Sequence, residues 1–428
     1  MSSMRTFGRR TIWAIAGLLT GTRGPNAPVG ADFPLLLVGA AVSNMGISFL
    51  WPLTAVYLHR TLGQPMPVVG LVMMAQAGAS ALGSLAGGVI YDRRGARGPL
   101  LAALALAAAM LSMMAALPNF WVFTVGVTVT GFAMSATMPV FNALSVQIWP
   151  EGGRTAFNAV YVAINAGLAV GSSLGGLVAS ASFRLAFVVA GCVVAAIWLL
   201  ILTSYRGAHW TRAPRRHPMG TRESTPRASF WHSAGLPVII LSAALACQWL
   251  AYDQWETTVP NFMRAEGLPL VLYSLLWTLN AGLILAAQPL FSRLVQWIPR
   301  VGAQLLWGSG LFVLAFGTLA LFHAYWAYVT GMGLATLGEM FVLPGAPTAA
   351  EAHTRPEQRG LVQGIISMAG AVGRMAGPVA GGLLFTANNP GRLFFIMTGV
   401  MVLGGFGYLV GEWVSPPALS GVGSTRET

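Results

Sequence analysis

Twelve carboxylates are spread over this 428-residue chain, and three of them fall inside long apolar runs: Asp253, Glu256 and Glu339. One cation, Arg374, does the same. An ionised group at the centre of a membrane-spanning helix costs about 2.5–3.5 kcal/mol on insertion scales, so such residues face a cavity or an opposite charge. Asp253 and Glu256 are three residues apart and share one helix face. A carboxyl group that takes up a proton on one side of a membrane and releases it on the other is what proton-coupled exchange requires. Glu339 is the candidate proton carrier, with a structural pair to Arg374 as its other reading. Asp253 and Glu256 either admit protons and bind cationic cargo, or sit at the outer water interface with no specific role.

Aromatic residues crowd the same stretches: Trp249, Tyr252 and Trp255, then Tyr273 and Trp277. Rings beside carboxylates suit lipophilic cations, through cation–π contact and apolar burial. The competing reading is the interfacial aromatic belt, which claims Tyr273 and extends to Trp255. Asn44, Asn165, Gln248 and Asn280 lie deep in apolar runs. They line a cavity or hold helices together.

The elements that must position these residues are membrane spans. The chain is 55% hydrophobic and 8% charged, a balance that excludes a soluble protein of this size. At about 20 apolar residues per span, twelve spans appear, the seventh over 236–262. They group as a tail over 1–31, six spans over 32–204, a hydrophilic linker over 205–235, six spans over 236–412 and a tail over 413–428. All 24 cations are Arg. With the N-terminus inside, 19 of them lie on the inner side, and only Arg60, Arg184, Arg264 and Arg392 lie outside. This asymmetry places both termini in the cytoplasm. It assigns the net charge of +12 to contact with anionic membrane lipids rather than nucleic acid. Arg5, Arg9 and Arg10 before the apolar run from Ile12 to Leu19 read as an interfacial helix, in preference to a signal peptide.

The two six-span halves repeat at roughly 205 residues. Pro139 and Arg154 match Pro344 and Arg359, and Arg60 and Arg184 match Arg264 and Arg392. Gly167, Gly171, Gly175 and Gly176 match Gly373, Gly377, Gly381 and Gly382 with one residue of slip. Such glycine rows permit tight helix crossing, and Pro378 bends or loosens its span. Two parallel halves related by an axis along the membrane normal are the architecture of a rocking transporter.

The loop after the second span reads Gly88-Val89-Ile90-Tyr91-Asp92-Arg93-Arg94-Gly95-Ala96-Arg97. It resembles the G-x-x-x-D-R-x-G-R-[RK] signature of the major facilitator superfamily, with Ala96 in place of one Arg. Gly338-Glu339, Pro344, Arg359-Gly360 and Gly377-Pro378-x-x-Gly381-Gly382, with Tyr252-x-Gln254, resemble the twelve-span bacterial multidrug/proton antiporter branch. The resemblance covers roughly 30–412. It implies an all-α membrane fold of twelve helices in two pseudo-symmetric six-helix bundles around a central cavity, working by alternating access. Two positions depart from that branch: Ser172 stands where Gly-Pro is expected, and Thr128 where many drug/proton antiporters carry an Arg implicated in coupling. Proton coupling here is therefore absent or runs through other residues. Asp92, Arg93 and Arg97 read as a cytoplasmic latch, with Gly88 and Gly95 allowing close backbone approach; the other reading is a basic loop with one solvated acid.

No G-x-x-x-x-G-K-[ST] phosphate loop, His/Cys metal cluster or large soluble domain is present, so no cofactor, metal or enzymatic activity is expected. Cys192 and Cys247 read as packing residues. The expected function is proton-driven export of lipophilic or cationic small molecules by a monomer in the cell membrane. The rivals are a proton-independent or symport-type carrier of a neutral or lipid-like solute and, more remotely, a non-transporting membrane sensor.

Overall fold

The computed structural model describes residues 32–49, 53–149, 153–205, 210, 235–298, 300–352, 359–386 and 389–414. The tails over 1–31 and beyond 414, with nearly all of the linker, lie outside the described residues. The described chain is helical, without a strand. In order, the helices are α1 (Asp32–Ser48), α2 (Thr54–Val56, running into a π-helical turn over Tyr57–Thr61), α3 (Met66–Arg94), α4 (Arg97–Ala116), α5 (Phe120–Ser135), α6 (Thr137–Ile148), α7 (Gly153–Ala181) and α8 (Phe183–Ser204). Then come α9 (Gly235–Tyr252), α10 (Gln254–Thr257), α11 (Val259–Ala265), α12 (Leu270–Trp297), α13 (Val301–Leu321), α14 (Tyr325–Ala352), α15 (Arg359–Leu384) and α16 (Pro390–Trp413). Among the described residues, helices occupy most of each expected span. Ten of these helical stretches are long and apolar enough to cross a membrane.

Local chemistry sets the helix ends. The Asn119 side chain accepts the Trp121 N–H at 2.8 Å at the start of α5, and Ser182 caps α8 through the Leu185 N–H. Both satisfy donors that a helix start leaves orphaned. Gly95 ends α3 at φ 75° and ψ −172°, a region open in practice to glycine alone. Its role is this turn. Gly88 has open space where a side chain would sit, so close approach is not why glycine stands there. The close approach lies a little earlier: a methyl at Gly83 or Gly87 would overlap the Phe132 or Ala136 backbone. That Gly-x-x-x-Gly pair brings α3 against α5.

Two compact units result: Met1–Arg216 with Met263–Leu285, and His217–Phe262 with Ala286–Thr428. The stretch 263–285, placed by the sequence in the second half, packs with the first unit. Within the first unit α7 crosses α1, α8 packs on α4, and α5 on α3. Within the second, α15 crosses α9, α16 packs on α13, and α14 on α13. The crossings obey the sequence repeat residue by residue. Gly167, Gly171 and Gly175 lie over Ala41, Met45 and Phe49; Gly373, Gly377 and Gly381 lie over Ala246, Leu250 and Gln254. The two receiving triplets are themselves offset by roughly 205 positions. The linker's first residues also pack. Tyr205 and Trp210 stack at 3.7 Å, and the Tyr205 hydroxyl donates to the Leu35 carbonyl. The hydrophilic linker therefore begins after a buried aromatic anchor.

The glycine crossings are testable against glycines in open space. A methyl at Gly171 would lie 2.9 Å from the Met45 Cα, and one at Gly377 2.9 Å from the Leu250 carbonyl oxygen, whereas Gly310 and Gly317 face nothing within 4 Å. Overpacking of this kind costs about 1–3 kcal/mol. Gly171→Ala and Gly377→Ala should each lower the melting temperature in detergent by a few degrees. Gly310→Ala and Gly317→Ala should leave it level or raise it, since alanine is the better helix former.

Candidate functional site

The span expected as one helix over 236–262 is broken twice, at Asp253 and at Thr258. Pro260 explains the second break. It carries no N–H for the Glu256 carbonyl, and its ring crowds that carbonyl. Irregular backbone at membrane depth survives where protein covers it, and residues 251–263 are all buried. Asp253 is 5% and Glu256 6% exposed, so neither sits at a water interface. Trp255 is fully buried as well.

The polar groups of this break are tied down. Thr257 Oγ1 donates to Asp253 Oδ2 at 3.1 Å. Gln254 Nε2 donates to the Leu250 carbonyl at 3.1 Å and across to the Gly377 carbonyl at 2.9 Å. The second bond forms because Gly377 and Gly381 lie directly on Asp253 and Gln254. Gly382, the last of the row, is buried too. Pro378, inside α15, supplies no N–H to the carbonyl of Arg374.

Arg374 sits one helical turn before Gly377. Its guanidinium lies 4.4 Å from the centre of the Trp249 ring and interacts electrostatically with Asp253 and Glu256. Trp249 packs edge-on against Tyr252 at 5.6 Å, and Tyr252 against Phe312 at 5.8 Å. The Tyr252 hydroxyl donates to Glu339 Oε2 at 2.8 Å. A chain of contacts thus runs from the two acids of the break through Arg374, Trp249 and Tyr252 to Glu339. A small cavity of about 10 Å³ lies against Gln248, Trp249, Tyr252, Phe312, Glu339, Val342 and Leu343. Gln248, Trp249 and Tyr252 reach it together because spacings of three and four share a helix face. Phe312, on α13, is a member that sequence reasoning missed. Nothing in an apolar run marks one Phe as lining a cavity.

The remaining expected residues are placed elsewhere. Asn44 donates to the Ala40 carbonyl at 3.1 Å and Asn165 to the Tyr161 carbonyl at 2.9 Å, each one turn back on its own helix. Trp277 donates to the Tyr273 hydroxyl at 2.9 Å. Tyr273 is fully buried, so its assignment to an interfacial belt is corrected. Trp277 and Asn280 are buried in the first unit with it. Of the latch residues, the Asp92 side chain lies outside the described residues. Arg93 is exposed at the end of α3. Arg97 Nη2 donates to the Leu202 carbonyl at 2.9 Å, where a cation meets the negative end of α8.

Removing Arg374 leaves two buried carboxylates without their nearby cation. Arg374→Ala should cost up to about 1 kcal/mol of stability, the range of exposed ion pairs, because Arg374 itself is exposed although the acids are buried. Adding Asp253→Asn to that background should restore part of the loss, read as the melting temperature in detergent. A double variant no more stable than Arg374→Ala would mean that the electrostatic pairing is idle.

Comparison with known proteins agrees with this architecture. The family model described as Major Facilitator Superfamily matches residues 36–306 and 297–427. An uncharacterized MFS-type transporter of Bacillus subtilis (strain 168), YttB, is 36% identical over 351 residues, covering 82% of this chain and 87% of that protein. A second from the same organism, YqjV, is 26% identical and covers 86% and 90%. Among solved structures, a mutant form of the nucleoside transporter NupG superposes with a TM-score of 0.74 at 15% identity, covering 89% and 99%. A mutant form of a peptide transporter, POT, gives 0.76 at 13%, covering 90% and 95%. At these identities the two structures share the fold alone. With the family model across nearly the whole chain and glycine-crossed halves that repeat, this chain belongs to the major facilitator superfamily: it is a multi-pass membrane transporter, not an enzyme.

Proposed function

We propose that this transporter exports lipophilic, cationic small molecules in exchange for protons, rocking between inward- and outward-open states. The observation that carries the reading is Glu339. It is a membrane-depth carboxylate held by the Tyr252 phenol, at a cavity walled by Trp249, Tyr252 and Phe312. A carboxylate among rings attracts a cation when ionised and releases it when protonated, so cargo and proton compete for one group. Asp253 and Glu256, with Arg374 between them and Trp249, form a second charged layer through which protons reach Glu339. Asp92, Arg93 and Arg97 act as the cytoplasmic latch. The protein works as a monomer in the cell membrane, with both termini in the cytoplasm. Thr128 and Ser172, where the antiporter branch carries Arg and Gly-Pro, favour a second reading: a carrier of neutral or lipid-like solute in which Glu339 is structural.

Inverted vesicles under an imposed pH gradient separate the two. The wild type should concentrate a fluorescent lipophilic cation, and Glu339→Gln should bind the dye while losing gradient-driven uptake by tenfold or more. Equal uptake by both proteins would leave antiport standing and make Glu339 structural. No uptake by the wild type would sink the cationic-export reading in favour of the neutral carrier.

A further inference from the structure

Arg374 is placed differently from the acids it serves. Asp253 and Glu256 are buried, whereas Arg374 is exposed and the Trp249 ring under it is half-buried. An exposed charge in the interior of a spanning helix faces water or cargo rather than lipid. The guanidinium lies 4.4 Å from the ring centre and is attracted by both carboxylates. Among the described residues it takes part in no hydrogen bond. The ring and the charge of the two acids are what hold it. A long, exposed side chain held in this way is free to swing into solvent.

An aromatic face with carboxylates beside it is the surround that receives an organic cation. Here the cation in that place belongs to the protein. Arg374 therefore marks both where a foreign cation lies and what that cation must displace. It also gives the shape. A guanidinium is planar and its charge is delocalised, and indole is the ring that holds a cation best. The space in question is not the cavity of about 10 Å³ beside Glu339, which admits no head group. It is the space that the guanidinium already fills.

We infer that the Trp249 face under Arg374, with Asp253 and Glu256 beside it, is a cargo site for planar, charge-delocalised cations of the amidinium or guanidinium kind, and that Arg374 occupies it until such a cation displaces the side chain. The inference rests on the cationic-cargo reading above. It adds to that reading a place, a class of cation and an autoinhibitory contact. With no cargo bound, the returned guanidinium screens the two buried acids.

The test titrates naphthalene-2-carboxamidinium, a planar cation, into the purified full-length protein in detergent and reads affinity calorimetrically. Arg374→Ala vacates the place and should bind the probe about tenfold more tightly than the wild type, the size expected when one cation–π contact no longer has to be displaced. Millimolar guanidinium chloride, which refills the place, should cancel the gain in Arg374→Ala; sodium chloride at the same concentration should not. Trp249→Leu added to Arg374→Ala should also cancel it, because the ring carries the site and the bare loss of a positive charge does not. Arg374→Gln serves in the same way if the alanine variant does not elute as a single folded species. Equal or weaker binding in Arg374→Ala overturns the inference, and so does a gain that survives guanidinium or Trp249→Leu; cationic export survives each of these results. Absence of binding in every protein overturns it as well, and uptake of a lipophilic cation by wild-type vesicles then tells whether the cationic reading falls with it.

Discussion

The second unit is organised by one close approach, the crossing of α15 over α9 at Gly373, Gly377 and Gly381. With no side chain in the way, backbone meets backbone, and the Gln254 amide reaches the Gly377 carbonyl at 2.9 Å. Lipid offers no hydrogen bonds, so a break in a spanning helix persists only where protein supplies them. The segment supplies most of them itself, through N–H groups bonded to the Asp253, Gln254 and Thr258 carbonyls and through the Thr257, Thr258 and Asn261 side chains, which donate one turn back; the crossing shields them. It covers the interruption at Asp253 and Thr258 and places Arg374 one turn away, within electrostatic range of both acids. A side chain at Gly377 would push α15 off and expose the break and its acids together.

The same crossing exists in the first unit without the charges. Gly167, Gly171 and Gly175 seat on α1 as their counterparts seat on α9. At the positions equivalent to Asp253, Arg374 and Glu339, the first half carries Ser48, Leu168 and Met134. Duplicated packing with charge in only one copy separates two demands. Both halves need the glycines, because helix association in lipid depends on close packing. Only one needs ionisable groups, because each is expensive at depth and justified by a task.

Charge in the second unit is arranged in two layers joined by rings. Asp253 and Glu256 face Arg374, whose planar cation lies on Trp249; Tyr252 then holds Glu339. Stacking on an indole stabilises a guanidinium without consuming its charge. Arg374 can therefore serve the acids of the broken helix and still form a wall of the aromatic group beside the cavity. Glu339 accepts from a neutral phenol at 2.8 Å.

Much of this was legible in the sequence. Hydrophobic length marked the stretches that form the long helices, and charge scarcity made Asp253, Glu256, Glu339 and Arg374 conspicuous. The repeat matched the two glycine rows with one residue of slip, while the residues they cross were set by packing. Other features were decided by packing. The break at Pro260 lies inside a run that reads as one span over 236–262, and that the break is buried depends on α15 lying over it. Gly83 and Gly87, rather than Gly88, make the close approach of α3, since which face of a helix meets its neighbour is set by the neighbour. Tyr273 reads as an interfacial ring by position and is a buried acceptor by contact. That Arg374 lies within electrostatic range of Asp253 and Glu256, and that Tyr252 donates to Glu339, follow from distances between helices far apart in sequence. The chain by itself determined what kinds of groups lie in the membrane; only the tertiary structure decided which of them meet, because a charge at depth takes the partner that helix packing brings within reach.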